Sequence, residues 1–238
     1  MSVFLPVYER LLHQLGPSHL WPAGSPFEVI VGAILTQNTS WKNVEKALTS
    51  LRAATDLQAE QILRLSPEEL AQLIRPSGYF NQKAARLQSF LRWFERFDFS
   101  VDTLRASASP EELRRQLLEQ KGIGPETADS ILCYALGLPF FVVDAYSFRL
   151  AERLQLRIPL KYEPFRLAVE SEFRRRFTDA DLTAHLNEFH ALIVRHGNQI
   201  CRKRDPQCAE CVLGRVKPAK GLTLGLRFRS CRYDTRSV

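Results

Sequence analysis

Apolar residues recur every three to four positions along most of this chain, which is the spacing of amphipathic helices. A first helix over 4–15 would place Phe4, Val7, Leu11 and Leu15 on one side. We find no convincing alternation of apolar and polar residues of the kind that marks a strand. The pattern therefore predicts an all-α protein.

Three helix starts carry one signature, in which serine is followed by proline and, three residues on, by glutamate. They begin at Ser25, Ser66 and Ser109. Serine caps the helix, proline suits its first position, and glutamate can reach back to the cap. The segment after Ser25, FEVIVGAILTQ, is apolar on nearly every side and predicts a buried central helix. Further helices are predicted over 41–51, from about 82, over 163–177 and over 180–201.

The segment 117–149 contains two apolar helical stretches joined by a Gly-x-Gly turn. We expect Gly122 and Gly124 to adopt positive φ, and Pro125 to lead into a helix over 126–138. Helix N-termini behind glycine turns bind anions, and in a basic protein a nucleic-acid phosphate is the favoured anion. Asp144 follows, where it can cap the next helix.

Charge and cysteine usage narrow the class of protein. The 238 residues carry a net charge of 33 − 26 = +7, which favours a polyanionic partner, although an ordinary basic surface would give the same value. We expect neither a membrane span nor a secretory signal, because no stretch of about twenty apolar residues occurs and the first fifteen residues include charges. Five cysteines fit a reducing cytosol and a metal site better than a disulfide framework.

The order and spacing of Gly122, Gly124 and Asp144 resemble the helix-hairpin-helix motif of the endonuclease III superfamily of DNA glycosylases. In that family the hairpin is followed by a Val-Asp step whose aspartate is catalytic, and here the run PFFVVD ends at Asp144. The resemblance implies a two-lobed, all-α fold with a DNA groove between the lobes. It places 25–140 in a lobe with the hairpin, 1–24 and 141–217 in a second lobe with a cysteine loop, and 218–238 in a basic tail.

The same resemblance implies roles for individual residues. It sets Gln37 against the void left by an everted base, makes Tyr79 a wedge in the DNA stack, and gives the turn Lys121, Gly122, Ile123 and Gly124 to DNA contacts. From the residues alone, Gln37 could belong to a helix cap, Tyr79 to the core, and Lys121 to a solvated face. Arg75, Lys83 and Arg86 are near enough to grip phosphates or are simply solvated.

One position of the hairpin separates two kinds of family member. Glycosylases that are also lyases carry a lysine two residues after the second glycine, and this chain has Glu126 there. A carboxylate cannot form an imine, so the resemblance implies a monofunctional enzyme that uses water, with weak or absent AP lyase activity.

The chain looks most like the endonuclease III-type 3-methyladenine DNA glycosylases. The likeness includes Trp21, Pro22, the corner ending at Trp41, the KGIG turn and Glu126. It implies a pocket formed by Trp21, Pro22, Trp41 and Glu126 that accepts a damaged base, favouring an N-alkylated purine. The alternative is a purely structural role, in which both tryptophans pack within a lobe.

The cysteines near the end follow the spacing Cys201-x6-Cys208-x2-Cys211, which matches the first three ligands of the superfamily's iron–sulfur loop. The family's fourth cysteine is replaced by Lys217, and the next thiol, Cys231, lies twenty residues beyond Cys211. A 4Fe-4S cluster with Cys231 or another fourth ligand, a zinc site and no metal all remain open. Cys133 is predicted to be an ordinary core residue.

These features favour a monofunctional DNA glycosylase of base excision repair. The expected partner is double-stranded DNA with a damaged base, bound by a monomer in a bacterial-type cytoplasm, at the nucleoid. One alternative is an endonuclease III-type glycosylase and AP lyase for oxidised pyrimidines or mismatches. The other is a helix-hairpin-helix protein that binds DNA without catalysis.

Overall fold

A computed structural model describes residues 3–18 and 24–214 of the chain. These residues divide into two compact units, one made of 3–18 and 139–214 and the other of 24–138. Within this described part there are twelve α-helices and no strand, so the prediction of an all-α protein is confirmed.

The helices are short and closely spaced along the chain. In order they are α1 Phe4–Leu15, α2 Pro26–Leu35, α3 Trp41–Thr55, α4 Ala59–Arg64, α5 Pro67–Leu73, α6 Phe80–Phe94, α7 Val101–Ala106, α8 Pro110–Glu119, α9 Pro125–Ser130, α10 Ala145–Arg153, α11 Tyr162–Arg174 and α12 Asp179–Gln199. Short 3₁₀ turns occupy Arg75–Ser77 and Glu95–Phe97, and a π-helical turn occupies Ile131–Ala135. No helix in the described ranges is both long enough and apolar enough to cross a membrane.

All three predicted serine caps are present. The side chains of Ser25, Ser66 and Ser109 each accept a hydrogen bond from the backbone N–H three residues on, at 3.2, 3.2 and 3.3 Å. At Ser66 the box is complete, because Glu69 also accepts from the Ser66 N–H at 2.8 Å. Each of these helix starts is therefore stabilised by local contacts that can be read from the sequence.

Helix α2 is the buried centre of the unit 24–138, as the sequence predicted. Ile30, Ile34 and Leu35 are fully buried, and the helix packs against α3, α6 and α9 with its π turn. Burial of a leucine or isoleucine side chain contributes roughly 1.5–3 kcal/mol. Because α2 is held on several sides, its C-terminal end is a firm platform for the polar corner that follows.

Stacked phenylalanines form the core of the other unit. The ring of Phe189 lies 5.5 Å from that of Phe141 and 5.3 Å from that of Phe173. Helix α1 has no side-chain cap of its own, and the buried carboxylate of Glu172 on α11 instead accepts its first N–H groups at 2.7–2.8 Å. This contact links α1 to α11 within the unit.

The helix predicted over 126–138 is shorter than expected. It begins at Pro125 and ends at Ala135, where the N–H of Leu136 donates to the carbonyl of Ile131 at 3.1 Å, an i to i+5 bond. Gly137 then has φ +64°, a conformation that suits glycine and turns the chain out of the helix.

Candidate active site

The turn between α8 and α9 confirms one of two expectations about its glycines. Gly122 has φ +87°, as predicted. Gly124 has φ −92° and ψ 177°, so the prediction of a positive φ there is wrong. Gly124 is the N-cap of α9, and N-cap residues adopt extended backbone. A Cβ added at Gly124 would meet no atom within 4 Å, which leaves the start of α9 open to an approaching group.

The residues beside these glycines anchor the turn. The side chain of Ile123 is buried, and its N–H donates to the carbonyl of Gln120 at 3.0 Å, so Ile123 contributes to the core. Lys121 is exposed. Among the described residues, the N–H groups of Gly122 and Gly124 donate to no backbone carbonyl. The turn thus contains an exposed lysine and two exposed glycines whose N–H groups have no backbone acceptor in the described part of the chain.

Gln37, in the corner after α2, contacts this turn directly. Its Nε2 donates to the carbonyl of Gly122 and to Oγ1 of Thr127, both at 3.0 Å. Its Oε1 accepts a hydrogen bond from Nη1 of Arg86. The structure therefore brings together Gln37 and Gly122, two residues that the sequence had placed in separate motifs.

Tyr79 precedes α6 in an unusual backbone conformation. Its φ is +48°, in the left-handed region that is costly for a bulky residue, and its side chain is 67% exposed. The alternative of a core aromatic is thus excluded at this position. Strain of this kind concentrates at functional sites, because only a surrounding structure that holds the residue in place sustains it.

Lys83 is not the solvent-facing phosphate contact that the sequence allowed. Its side chain is 1% exposed, and Nζ donates to the carbonyls of Leu35 and Ser77 at 2.8 and 2.6 Å. Burial, and then the nearby charge of Arg86, lower the pKa of Lys83 to about 8. Lys83 is a structural cation.

Asp144 caps α10, as the sequence predicted. Its Oδ1 accepts from the N–H of Ser147 at 2.8 Å and from the Ser147 hydroxyl at 3.0 Å. Its Oδ2 lies 3.5 Å from Nε2 of His190 on α12, and the side chain is only 12% exposed. The carboxylate is therefore held rigidly, with one oxygen committed to the cap and the other facing an imidazole.

The environment of Asp144 favours its ionised form. Burial alone raises the pKa of this carboxyl, but contacts from His190 and Ser147 outweigh burial, and the net pKa lies below the ordinary value. Sequence reasoning missed both partners. Ser147 stands at the third helical position, where a capping signal could have indicated it, whereas nothing local to Asp144 points to His190.

The predicted base-pocket residues are only partly described. Trp41 is half-buried and its Nε1 donates to Glu45 at 2.9 Å. Glu126 is exposed in the first turn of α9. Trp21 and Pro22 lie outside the described residues, so the pocket remains a prediction.

Three predicted metal ligands line one small cavity near the end of α12. The cavity is lined by Cys201, Cys208 and Cys211 together with Arg153, Ile200, Pro206 and Gly214. The buried guanidinium of Arg153 donates to Sγ of Cys201 at 3.1 Å, and Nε2 of His196 lies 3.4 Å from Sγ of Cys211.

The described cysteines satisfy part of what a four-thiolate cluster requires. Three thiols border a common cavity, which suits such a group. Within the described ranges, however, no three His, Cys, Asp or Glu side chains lie in an arrangement that could hold a metal ion. The predicted fourth ligand, Cys231, lies outside the described residues, as does Lys217. Cys133 is buried in the other unit, as predicted for a core residue.

Two proteins from different organisms are similar in sequence to this chain over most of its length. A protein of Methanocaldococcus jannaschii named "Putative DNA repair glycosylase MJ1434" is 40% identical over 207 residues, covering 86% of this chain and 91% of that protein. Endonuclease III of Thermotoga maritima is 30% identical over 192 residues, covering 79% of this chain and 80% of the enzyme.

Solved structures show the same architecture. The H. pylori 3-methyladenine DNA glycosylase MagIII, bound to 1,N6-ethenoadenine, superposes with a TM-score of 0.67 at 31% identity, covering 82% of this chain and 95% of MagIII. A non-covalent endonuclease III–DNA complex gives a TM-score of 0.67 at 21% identity, covering 90% of this chain and 94% of that one. The latter likeness concerns the fold alone.

The profile of one protein family matches residues 31–174, a range that includes Gln37, the glycine turn and Asp144. That family is described as the HhH-GPD superfamily of base excision DNA repair proteins. The match covers more than half of the 238 residues, and a relative that is 40% identical covers 86% of the chain. The chain therefore belongs to the HhH-GPD superfamily.

Proposed function

We propose that this protein is a monofunctional DNA glycosylase that hydrolyses the N-glycosidic bond of N-alkylated purines, such as 3-methyladenine, in double-stranded DNA. The observation that carries the proposal is Asp144, a buried carboxylate held rigidly by Ser147 and ionised in the company of His190. A group that must stabilise a developing positive charge needs both a fixed position and a negative charge.

The chemistry follows from that carboxylate. As the bond between base and sugar lengthens, the sugar acquires oxocarbenium character, and ionised Asp144 stabilises it. The same carboxylate orients the attacking water and accepts its proton. An N-alkylated purine carries a positive charge and leaves as a neutral base, so it needs little help from a general acid.

The absence of a lysine two residues after the second glycine of the hairpin supports water as the nucleophile. Glu126 is exposed in the first turn of α9, at the place where lyase members of the superfamily have lysine. The hairpin lysine, Lys121, stands before the turn rather than after it. Lys83 donates to the carbonyls of Leu35 and Ser77, which argues against a role for it as a replacement amine.

DNA binding is proposed to use the turn at Gly122 and Gly124 together with Tyr79. The open space at Gly124 lets a phosphate approach the first N–H groups of α9. The exposed ring of Tyr79 suits a wedge that offsets part of the cost of unstacking a base.

The preference for alkylated purines draws on two supports. MagIII, a 3-methyladenine DNA glycosylase, is 31% identical over most of both chains. Trp41 offers an aromatic face on which a cationic base gains a cation–π attraction. Trp21, Pro22 and Glu126 complete the proposed pocket.

A second candidate function is an endonuclease III-type glycosylase and lyase for oxidised pyrimidines or mismatches. It is favoured by the relative in T. maritima, named endonuclease III, and by the cysteine loop. We also propose that Cys201, Cys208 and Cys211, with Cys231 or another fourth ligand, hold a 4Fe-4S cluster. Such a cluster would tie the loop together and would take no part in bond cleavage, and zinc is the alternative metal.

The decisive experiment measures base release from duplexes carrying 3-methyladenine, thymine glycol or uracil, with strand nicking scored separately. We expect release of 3-methyladenine without nicking. Borohydride trapping on abasic DNA provides the control. A strong covalent adduct, or release of thymine glycol with nicking, would establish the second candidate instead.

A further inference from the structure

Two basic side chains of α6 contact three segments to which we assign DNA contacts. The segments are the corner after α2, which holds Gln37, the turn 75–79, which ends at Tyr79, and the glycine turn 120–124. All three, and α6 itself, lie in the unit 24–138. Lys83 and Arg86, three residues apart, therefore point to the same side of the helix.

Lys83 joins the first two segments. Its ammonium donates to the carbonyl of Leu35, at the end of α2, and to the carbonyl of Ser77, two residues before Tyr79. Both bonds are buried, so a cation that solvent does not reach anchors the backbone two residues before the strained Tyr79.

Arg86 joins the corner to the glycine turn. Its guanidinium donates to Gln37, which in turn donates to the carbonyl of Gly122 and to Thr127. The stem of Arg86 also fills the space beside Gly122, where an added Cβ would lie 2.5 Å from Cγ, Cδ and Nε of the arginine. A glycine is thus needed at position 122 for two reasons. A side chain there would clash with Arg86, and the backbone of this residue has a positive φ.

We propose that Lys83 and Arg86 are positioning residues that set the three DNA-contacting segments relative to one another before DNA arrives, and that neither binds a phosphate. This inference rests on the proposed function and deepens it. Segments fixed in advance lose less freedom on binding, so more of the interaction energy is available for everting the base. A basic side chain that contacts no phosphate contributes nothing to the counterions that DNA releases on binding.

The test compares Arg86→Met with Arg86→Lys, using Arg92→Met as the matched control on an exposed position of α6. Affinity for an undamaged duplex is measured over a range of salt concentrations, and base release is measured in a single turnover. Removal of a phosphate contact would reduce the slope of log K against log salt by about 0.9. A positioning residue leaves that slope at the wild-type value.

We expect Arg86→Met to keep the wild-type salt slope and to release base at least tenfold more slowly. Arg86→Lys should be similarly slow, because an ammonium keeps the charge but cannot reproduce the guanidinium that holds Gln37 and packs on Gly122. Arg92→Met should match the wild type. In Lys83→Met, the fluorescence of 2-aminopurine placed beside the lesion should show that base eversion is impaired. Binding of this variant to undamaged DNA should keep the wild-type dependence on salt concentration.

A reduced slope in Arg86→Met, or full recovery of base release in Arg86→Lys, overturns the positioning role and leaves the glycosylase in place. If the wild-type protein releases no base from any substrate, the proposed function fails, and the positioning role fails with it. Thermal unfolding of each variant, measured alongside, identifies any loss of rate that comes from unfolded protein.

Discussion

At the scale of single residues, Asp144 has one role in the fold and a second in our proposed reaction. Its carboxylate caps α10 through Ser147 and, in our proposal, stabilises the charged sugar. The two roles are compatible because a capping carboxylate is rigid and stays ionised beside the N-terminus of a helix.

Replacement of Asp144 by asparagine separates these roles. Asparagine caps helices about as well as aspartate, so the free energy of unfolding should change by less than about 1 kcal/mol. Base release should fall at least a hundredfold, because the charge is lost. Single-turnover kinetics and thermal unfolding check both statements. Unimpaired release would refute the catalytic role, whereas a wild type without release would point to a DNA-binding protein without catalysis.

The contact with His190 predicts a pH dependence. Because the pKa of Asp144 is lower in the folded protein than in the unfolded chain, its ionised form stabilises the fold above roughly pH 4. That contribution is lost as the pH falls through the folded-state pKa. In His190→Gln the attraction of the imidazole charge for the carboxylate is lost, so the pKa of Asp144 should rise.

The acid limb of the pH–rate profile should accordingly move to higher pH in His190→Gln than in the wild type. His13→Gln, at an exposed position of α1, serves as the control and should leave the profile unchanged. An acid limb at the same pH in all three proteins would show that His190 does not act on Asp144.

At the scale of elements, the turn between α8 and α9 uses its two glycines for different reasons. Gly122 has a left-handed backbone and lies against Arg86, whereas Gly124 has an ordinary backbone and open space beside it. The first glycine serves the fold, and in our proposal the second leaves room for an approaching phosphate.

Serine at each position makes a matched pair. Gly122→Ser should lower the free energy of unfolding by about 1 kcal/mol or more, because of its φ and the clash with Arg86. Gly124→Ser should leave stability unchanged or slightly raised, since serine is a good N-cap. Its hydroxyl would occupy the N–H groups offered to a phosphate, so DNA affinity should fall, as measured by fluorescence anisotropy. Equal affinity in Gly124→Ser and the wild type would exclude a phosphate at this helix end.

At the scale of the whole molecule, the cysteine loop belongs to the unit that contains Asp144, and the hairpin belongs to the other. The three described cysteines border one cavity, with Arg153 directed at Cys201. Loss of a metal group from the cysteine loop should therefore destabilise mainly the unit made of residues 3–18 and 139–214.

Cysteine variants test the metal content. We expect the purified protein to contain iron and sulfide and to absorb visible light, and Cys208→Ser to lose both. Cys133→Ser, a core position in the other unit, should retain them. Retention of iron in Cys231→Ser would show that another residue is the fourth ligand. Zinc in place of iron in the wild type would contradict the cluster.

Local sequence patterns were sufficient to predict much of the secondary structure of this protein. The helix caps at Ser25, Ser66 and Asp144 and the buried character of α2 depend on residues within one or two turns of each other, so their spacing in the sequence determines them. The order of glycine turn and aspartate was likewise enough to indicate the superfamily, as the family match then showed.

Only the tertiary structure decided which polar groups meet across the chain. The ammonium of Lys83 donates to the carbonyl of Ser77, His190 faces Asp144, and Glu172 caps a helix 168 residues away. Such contacts follow from how helices pack, and a linear pattern does not record which buried acceptor a charged side chain will reach.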